Sequence, residues 1–400
     1  MTAVSCAIET PRFEQEWEVL RTGWNAMLAR DSAGVEALDF TASFEWALTL
    51  WQTHWNTGEV EIVVLREGAT IVGILPLYRF GKSVRRIPCR MVAQIWELYS
   101  GRTGFLLRTL APEYLRLMFS TLRTQVRPWD LLSLTVVQGS QYERLFHDMA
   151  AAAGLRAKPV ENFRSPYIPL QDSWEKHFAS LPKKLRSTIR NGEKRLRASG
   201  EVAYRECRTP EDAIAFNAAV AQIERDSWKE AAGTSIAANP VHEAFHQCMT
   251  VRAAESGAFS GHLLLLNQEP IAYVMGTLYN GVFLDLKESY RNSLREMSPG
   301  HALKNFVFPK LIEQKATVYD FMGQCEDYKM KWTDKTYRRT TYLLFNDTIR
   351  AKAASWLSGS RSVHASDIKG SAAVSGHPNE ESNAASDTSG ESHIDGTIRV

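Results

Sequence analysis

The sequence predicts two consecutive α/β units followed by a low-complexity tail. Helical and strand-like patterns alternate along the first 350 residues, which is typical of sheets flanked by helices. A strand–turn–strand pattern, IVVLREGATIVGILPLY at 62–78, is echoed by LLLLNQEPIAYVMGTLY at 263–279. This echo favours a duplicated unit, and two unrelated hairpins are the alternative.

Composition excludes several classes of protein. The 400 residues include 47 Lys and Arg against 45 Asp and Glu, a formal net charge of +2, and 44% of them are hydrophobic. This balance is typical of a soluble globular chain and disfavours a nucleic-acid coat, although a local basic patch remains compatible with it. The sequence has no apolar run of the roughly 18 residues that a membrane span needs, and its N-terminus lacks the features of a secretory signal. Five scattered cysteines without a CxxC pair favour a reduced, cytoplasmic protein.

The N-terminal unit, residues 1–164, is predicted to mix helices and strands. Apolar residues repeat at helical spacing in 13–29, and a Trp-rich helix is expected at 40–55. Strands at 60–66 and 70–78 flank the Glu67-Gly68 turn. The remaining expected elements are a basic loop (Lys82, Arg85, Arg86, Arg90), a helix at 112–126, a strand at 130–137 and a helix at 142–153.

The C-terminal unit, residues 165–350, is predicted to begin with helices and to continue into a hairpin-rich sheet. The helix expected at 182–199 begins with a proline in its first turn and ends at Gly200. The pair Asn280-Gly281 is typical of a tight hairpin turn. The expected elements are helices at 173–180, 182–199, 211–229, 240–256 and 300–314, and strands at 262–266, 271–279, 282–289, 317–322 and near 340–345.

The last segment, residues 351–400, is predicted to be a disordered tail. From about Leu357 it has no aromatic residue and is rich in Ser, Gly, Ala, Asp and Glu. Such a segment buries too little apolar surface to offset a chain entropy of roughly 1–2 kcal/mol per residue.

The segment Met297-Ser298-Pro299-Gly300-His301-Ala302 lies between a predicted strand and a predicted helix. Gly300 permits close approach of a ligand, and the N–H groups of a helix N-terminus favour anions. Arg291, Arg295 and Lys304 add positive charge nearby. A phosphate-binding loop is one interpretation, and a Pro-Gly turn with a serine cap is the other.

Five segments together resemble a known group of enzymes. They are FTASFEWALTLW, REGATIVGILPLYR, SWEKHFASLPKKLRSTIRNGEKRL, SPGHALK and YDFMGQCEDYKMKW, within about residues 40–345. The chain resembles the CelD-like acyltransferases associated with cellulose and exopolysaccharide biosynthesis, a branch of the GNAT superfamily related to Fem-type tandem-GNAT proteins. The resemblance implies an α/β fold of tandem GNAT-like domains, each a mixed, mostly antiparallel sheet flanked by helices, with the chemistry in the second domain.

The resemblance also implies acyl-CoA, with acetyl-CoA as first choice, as co-substrate, and no metal. The cofactor contacts that it implies are Arg295, Ser298, Gly300, His301, Ala302 and Lys304. The chain departs from the usual loop motif Gln/Arg-x-x-Gly-x-Gly/Ala, which appears here as Arg-Glu-Met-Ser-Pro-Gly-His-Ala.

Transfer to an amine requires the neutral amine, so a general base is useful. Asp285 and Glu288 lie on the strand before the loop, and a spacing of three places them on opposite faces of a regular strand unless a bulge intervenes. We expect Glu288 to be the base because it is nearer the loop, and Asp285 to contact the substrate; a solvated strand end is the alternative. Asp320 ends the next strand and is a further catalytic candidate.

Two residues beyond that strand are further site candidates. Tyr328 matches the tyrosine that protonates the leaving thiolate in many GNAT enzymes, and a packed aromatic is the alternative. Lys329 is expected to pair with Asp320 or to hold the acceptor.

Other features have competing interpretations. Residues 183–197 contain seven basic residues and one acid. Three interpretations are open: a solvated helix face, a contact for an anionic acceptor such as a nucleotide- or lipid-linked sugar, or a tRNA contact. Cys325 has no evident His partner and is expected to be a packed thiol. The HEAFH sequence at 242–246 fits a zinc pattern, but it lacks a suitably placed third ligand, so we expect a scaffold helix. The residues expected to line the acceptor side are Trp46, Trp51, Trp96, Tyr99, Trp228 and Lys229.

Three functional hypotheses follow. The first is acyl-CoA-dependent N-acyltransfer to a small-molecule amine or amino sugar, associated with envelope polysaccharide machinery. The second is a Fem-like aminoacyl transfer that uses charged tRNA. The third is a non-catalytic GNAT-like component of a polysaccharide assembly system.

Overall fold

The computed structural model describes residues 3–28, 38–54, 60–84, 86–95, 105–125, 128–160, 164–358 and 368–369. The first half contains β1 (Val4–Glu9), α1 (Glu14–Ala26), a 3₁₀ turn (Phe40–Ala42), α2 (Phe44–His54), β2 (Val60–Glu67), β3 (Thr70–Val84), β4 (Ile87–Gln94), β5 (Leu106–Leu107), α3 (Pro112–Thr124), β6 (Leu131–Val137), α4 (Gln141–Ala152), β7 (Arg156–Val160) and β8 (Arg164–Pro169).

The second half is longer and richer in helices. It contains α5 (Trp174–Ser180), α6 (Lys183–Ser199), β9 (Val202–Cys207), α7 (Pro210–Arg225), α8 (Trp228–Ala231), α9 (Pro240–Glu255), β10 (Phe259–Leu266), β11 (Glu269–Tyr279), β12 (Val282–Tyr290), a 3₁₀ turn (Asn292–Met297), α10 (Pro299–Glu313), β13 (Val318–Asp320), α11 (Asp327–Met330), β14 (Thr336–Phe345), α12 (Ile349–Leu357) and β15 (Ile368–Lys369). Within the described ranges, no helix combines the length and apolar content needed to cross a membrane.

Both halves repeat one arrangement. The hairpins β2–β3 and β10–β11 are antiparallel, and each has a register shift close to its turn, at Leu65/Arg66 and at Leu264/Leu265. Each hairpin is followed by a parallel strand pair, β4–β6 in the first half and β12–β13 in the second. The predicted pair of mixed, mostly antiparallel α/β units is therefore confirmed.

The second unit supplies a strand to the sheet of the first. β14, from the second half, pairs antiparallel with both β6 and β7 of the first half. β8, which spans the predicted boundary at 164/165, pairs antiparallel with β13. The result is one continuous sheet, in the order β1-β2-β3-β4-β6-β14-β8-β13-β12-β11-β10-β9. The place of β14 is not visible in the sequence pattern, because it depends on pairing between residues about 200 positions apart.

Two predicted boundaries are wrong. The expected basic loop at 82–90 is a hairpin, since β3 continues to Val84 and pairs with β4; Arg85 lies outside the described residues. Cys89 and Met91 alternate inward along β4 and pack into a small core, which gives this basic segment a reason to be a strand. The tail does not begin at 351, because α12 continues to Leu357 and packs Ala351 and Ala354 into the same core. Of the rest of the tail, only Ile368 and Lys369 are described, and they pair with β3.

One hydrophobic core runs through both halves. α2 packs against α9, and the ring of Trp46 lies 5.1 Å from that of Phe245, centroid to centroid. Trp46 is 1% exposed and Trp51 is 6% exposed, so they belong to this core and do not line an acceptor cleft as expected. Trp96 and Tyr99 lie outside the described residues. α5, α6 and α10 enclose a second core on the C-terminal sheet.

Candidate active site

A β-bulge brings the two carboxylates of β12 to one face. Gly276 of β11 is opposite Asp285, but Met275 is opposite Lys287, so Leu286 is the extra residue. In a regular strand, a spacing of three would separate Asp285 and Glu288; one inserted residue restores them to the same face. The ammonium group of Lys304 confirms this placement, because it contacts Glu288 Oε2 and lies 4.0 Å from Asp285 Oδ2.

Asp285 has the most perturbed environment of the two. It is 5% exposed, its Oδ2 accepts a hydrogen bond of 2.6 Å from Tyr319 Oη, and its Oδ1 has no hydrogen-bond partner among the described residues. Burial, with the nearby Glu288 carboxylate, raises the pKa of Asp285 to about 7, although Lys304 opposes the shift. Asp285 is therefore poised to exchange a proton near neutral pH.

Lys304 does not contribute to the loop as the sequence predicted. It lies in the second turn of α10, is 3% exposed, and its ammonium group points at the two carboxylates. A buried ammonium group needs such partners because the cost of desolvating a charge is large. This lysine therefore holds Glu288 in place and is not available to an external phosphate.

The pairing of β13 with β12 ends beside these carboxylates. The last paired residues are Leu284 and Asp320, while β12 continues to Tyr290. Lys229, at the start of α8, donates a hydrogen bond of 2.7 Å to the Glu288 carbonyl oxygen, in the section of β12 that pairs with β11 but not with β13. Burial, together with Lys287, lowers the pKa of Lys229 to about 8. The role of Lys229 as an acceptor contact stays a prediction.

The surroundings of Asp320 are those of a residue that stabilises the fold. Its side chain is fully buried, Oδ1 accepts from the Met322 N–H at 2.8 Å, and Oδ2 accepts from Tyr337 Oη at 2.6 Å. These contacts fix the chain as it leaves β13, where Met322 has a φ of 53°. The expected pairing of Lys329 with Asp320 is not formed: Lys329 donates to the Met322 carbonyl and pairs with Glu326.

Tyr328 and Trp228 are the exposed aromatic residues near this site. Tyr328 is 41% exposed, and the Lys329 ammonium lies 5.6 Å from its ring centroid. Trp228 is 51% exposed and directly precedes Lys229. Neither ring is part of the core, so the packed-aromatic alternative for Tyr328 is wrong.

The residues expected to contact the cofactor at the loop before α10 lie in different environments. Ser298 has φ 52° and ψ 49°, in the left-handed region, and Pro299 begins the helix. Ala302 is 1% exposed and its N–H bonds to the Ser298 carbonyl, so it is committed to the helix. A Cβ added at Gly300 would meet only Tyr290 Cδ1 at 3.5 Å, so packing alone does not require glycine there.

His301, in the first turn of α10, is half-buried. Its ring lies 5.6 Å from that of Trp332, and burial together with Lys304 lowers its pKa to about 4. It is therefore neutral at pH 7 and is not an additional positive charge for phosphate.

Arg295 and Ser298 line a groove whose other wall is α6. The groove has a volume of about 750 Å³, and its lining residues are Lys183, Lys184, Ser187, Thr188, Asn191, Gly192, Arg195, Arg295, Glu296 and Ser298. A Cβ at Gly192 would lie 2.6 Å from the Met297 carbonyl oxygen, so glycine allows helix and loop to touch. The groove thus joins the predicted loop to the predicted basic helix.

The remaining sequence candidates have ordinary surroundings. Cys325 is partly buried, its Sγ lies 3.2 Å from the Arg164 carbonyl oxygen, and desolvation raises the pKa of this thiol. His242 and His246 lie on α9 beside His54 of α2. Within the described ranges, no group of three or more His, Cys, Asp or Glu side chains has the geometry to hold a metal ion.

Sequence reasoning missed the partners that tune the site. Tyr319 and Lys304 contact the carboxylates, and Glu224 accepts from Tyr273 Oη at 2.5 Å near Lys229. One signal was available: Lys304 lies between the apolar residues Leu303 and Val307, and a buried lysine in such a pattern requires an acidic partner.

The paired units, the bulged strand and the helix that follows it form the fold of tandem, GNAT-like α/β units that the sequence predicted. Residues 183–330 match the family described as acetyltransferase (GNAT) domain. The structure is similar to the crystal structure of FemX, with a TM-score of 0.57 and 13% identity, over 80% of this chain and 95% of that one.

A second solved structure gives the same architecture. A conserved protein of unknown function from Bacteroides thetaiotaomicron is similar with a TM-score of 0.55 and 12% identity, over 84% of this chain and 100% of that one. A search of curated proteins found no match. At these identities the structural similarity shows the fold alone.

Proposed function

We propose that this protein is an N-acyltransferase that moves the acyl group of an acyl-CoA to the amino group of a small molecule, with Asp285 as the general base. The observation that supports this most is the buried Asp285 beside the end of the β12–β13 pairing, with a pKa raised to about 7 and one free oxygen. The GNAT match over residues 183–330 supports the reaction class.

The reaction requires one proton to leave the amine and one to reach the sulfur. The amine nitrogen attacks the thioester carbonyl carbon, Asp285 takes the amine proton, and the C–S bond breaks. Tyr328, which is 41% exposed, is proposed to donate the proton of its hydroxyl to the leaving thiolate. Placed acids and bases of this kind contribute roughly 10²–10⁴ in rate each.

We propose Asp285 in place of Glu288 because the two carboxylates differ in their partners. Glu288 Oε2 is occupied by the Lys304 ammonium, and its carbonyl oxygen by Lys229. Asp285 Oδ1 is unoccupied among the described residues. Glu288 then acts as a positioning residue, since its charge helps to raise the pKa of Asp285.

The pKa of this base favours a weakly basic amine as acceptor. Moving a proton from an alkylammonium group, with a pKa near 10, to a base with a pKa of about 7 is uphill by about 3 units, or roughly 4 kcal/mol. A sugar amine is less basic, so the same step costs much less. An amino sugar, stacked on the exposed Trp228, is therefore the proposed acceptor, and we place this reaction in the cytoplasm, in envelope polysaccharide synthesis.

A Fem-like aminoacyl transfer is the second candidate. The fold shared with FemX over 80% of the chain and the basic surface of α6 favour it. In that reaction the same carboxylates would serve the same amine, but the acyl donor would be a charged tRNA. A non-catalytic role in polysaccharide assembly is the remaining alternative.

The test is release of free thiol from acetyl-CoA and longer acyl-CoAs with a panel of amines that includes glucosamine. Wild-type protein should turn over an amine with a rate that rises through an apparent pKa near 7. Asp285→Asn should lower turnover by roughly 10²–10⁴ and leave affinity for coenzyme A within about twofold. Tyr328→Phe should lower turnover in the same manner, and Glu61→Gln, a buried carboxylate of the first half, should have little effect.

Three outcomes would count against the proposal. If Glu288→Gln abolishes turnover while Asp285→Asn does not, the base is misassigned. Acyl-CoAs that neither stabilise the protein nor are consumed would count against the proposal. If an aminoacyl-tRNA is consumed instead, the Fem-like reaction is correct. If neither donor is used, the protein has no transferase activity of this class.

A further inference from the structure

The outer half of β3 has an open edge. Tyr78 pairs with both β4 and β2, and Ser83 pairs with both β4 and β15. A strand residue has one neighbour on each side, so β2 and β15 share the edge of β3 that lies opposite β4. Pairing with β2 ends at Tyr78 and pairing with β15 begins at Ser83. Between them, at Phe80–Lys82, no described strand pairs with this edge.

The open section is accessible to another strand. Gly81 is exposed, and a Cβ added to it would meet no atom of the described residues within 4 Å. A strand edge of this kind presents N–H and C=O groups as a template for a further strand. Lysines on an edge are a common protection against edge-to-edge pairing of two copies, and Lys82 lies in this section. The edge therefore suits an occupant other than a second copy.

The register of β15 directs the chain that follows it along this section. β15 is antiparallel to β3, with Lys369 opposite Ser83. In an antiparallel pair, each further residue moves one position back along the partner, so residues 370–372 fall opposite Phe80–Lys82 in reverse order. Their sequence is Gly-Ser-Ala. The side chains are small and none of the three is proline, so each residue has an N–H group to donate.

The same register brings apolar tail residues to the small core beneath α12. Val84 is fully buried in that core, and Phe80 packs against it. Alternate residues of a strand share a face, so Ile368 opposite Val84 and Ala372 opposite Phe80 belong to the face of this core. Cross-strand apolar pairs of this kind add to the main-chain hydrogen bonds.

We infer that the C-terminal tail completes this edge, with residues 368–372 forming one strand that lies end to end with β2. Main-chain hydrogen bonds supply most of the affinity in such strand addition, so a Gly-Ser-Ala sequence of low strand propensity is sufficient. The tail is tethered through α12, which gives it a roughly millimolar effective concentration at the edge. The tail thereby covers an edge that would otherwise be open to association with other chains.

Hydrogen–deuterium exchange of the full chain, measured by mass spectrometry, tests this inference. The amides of residues 80–82 that point away from β4 are protected only if a strand pairs with them. A chain that ends at Ser375 keeps the proposed strand, and a chain that ends at Ser358 loses it, while both keep α12. The first should exchange like the full chain at these amides, and the second should exchange at least tenfold faster.

A proline pair in the full chain tests the strand without truncation. Adjacent N–H groups of a strand point to opposite edges, so Ser371→Pro/Ala372→Pro removes one donor that faces β3. This double variant should raise exchange at residues 80–82 as the shorter truncation does. The matched control is Ala385→Pro/Ser386→Pro, a pair of similar residues further along the tail, which should exchange like wild type.

Four outcomes would overturn the inference. One is unchanged exchange at residues 80–82 when the chain ends at Ser358, and another is loss of protection when it ends at Ser375. The third is wild-type exchange in the Ser371→Pro/Ala372→Pro variant. The fourth is protection of the Ser358 truncation that rises with protein concentration and accompanies a dimer in size-exclusion chromatography, because a second copy would then be the occupant.

Discussion

Asp130 and Asp285 lie next to the parallel strand pairs of the two halves, and their surroundings differ. Asp130 directly precedes β6 and accepts hydrogen bonds from the Arg90 N–H and guanidinium, the latter at 2.8 and 3.0 Å, and from Thr348. Burial acts to raise its pKa, but these bonds outweigh burial and hold the pKa at about 2. Burial of Asp285, next to Glu288, raises its pKa to about 7.

The comparison separates a structural carboxylate from a reactive one. Asp130 is fully hydrogen-bonded and remains ionised at any physiological pH, so it can tie β4 to β6 but cannot accept a proton. Asp285 has an open oxygen and titrates near neutrality. The two halves share one arrangement of strands. In the first half its buried aspartate stabilises the fold, and in the second half, in our proposal, its buried aspartate takes part in the reaction.

The largest effect should come from separating the halves. Residues 1–164 lack β14, which lies between β6 and β7 and supplies hydrogen bonds to both. We expect this fragment, and the fragment 165–358, to be unfolded or aggregated when expressed alone, because each leaves a sheet edge and part of the core without a partner. Circular dichroism and size-exclusion chromatography test this, and co-expression of both fragments should restore a folded complex. A monomeric, cooperatively melting 1–164 fragment would contradict the role given to β14.

Replacing the two aspartates should shift stability in opposite directions. The folded-state pKa of Asp130 is depressed, so its contribution is present above pH 4, and Asp130→Asn should cost about 2 kcal/mol at pH 8. The folded-state pKa of Asp285 is raised, so its charge opposes folding as pH rises through about 7, and Asp285→Asn should stabilise the protein by roughly 1–3 kcal/mol at pH 8.

Urea unfolding at pH 8 and pH 5 measures both effects. The gain from Asp285→Asn should shrink at pH 5, where the native carboxyl is already protonated. A gain in stability together with a loss of turnover would be typical of a residue kept for function. Equal destabilisation by the two replacements would show that Asp285 is simply a second structural carboxylate.

A smaller change in stability with pH is expected from the histidines at the contact between α2 and α9, where the two halves meet. The ring of His54 on α2 lies 6.3 Å from that of His242 on α9, and Lys229 and Lys287 are close to His246. Burial and His242 lower the pKa of His54 to about 4, and burial and Lys287 lower that of His246 further. Folding therefore favours neutral histidines, whose contribution is complete above pH 6.5 and is lost as pH falls towards 4.

We expect this contact to lose roughly 1–3 kcal/mol of stability between pH 7 and pH 5. The measurement should use an Asp285→Asn background, because Asp285 gives a slope of the opposite sign in this range. Adding His54→Gln should flatten the acid-side loss. An unchanged slope would assign the acid sensitivity to other groups.

The sequence by itself determined most local elements and the fold class. Helical spacing, the Asn280-Gly281 turn and the repeated hairpin indicated most helices and the central strands, because these signals depend on neighbouring residues. The short strands β1, β7, β8 and β9 were missed. They carry a weak pattern of their own, and their pairing is with residues distant in sequence.

Only the tertiary structure decided how the site is assembled. The sequence placed Asp285 and Glu288 on one strand, but the bulge at Leu286 decided that they share a face, since a bulge depends on the register of the opposite strand. The tertiary structure also decided that the Lys304 side chain points inward to these carboxylates and that Asp320 accepts a hydrogen bond from Tyr337. The place of β14 in the sheet of the first half was decided in the same way, because long-range pairing energy, and not local preference, selects between a strand's own unit and its neighbour.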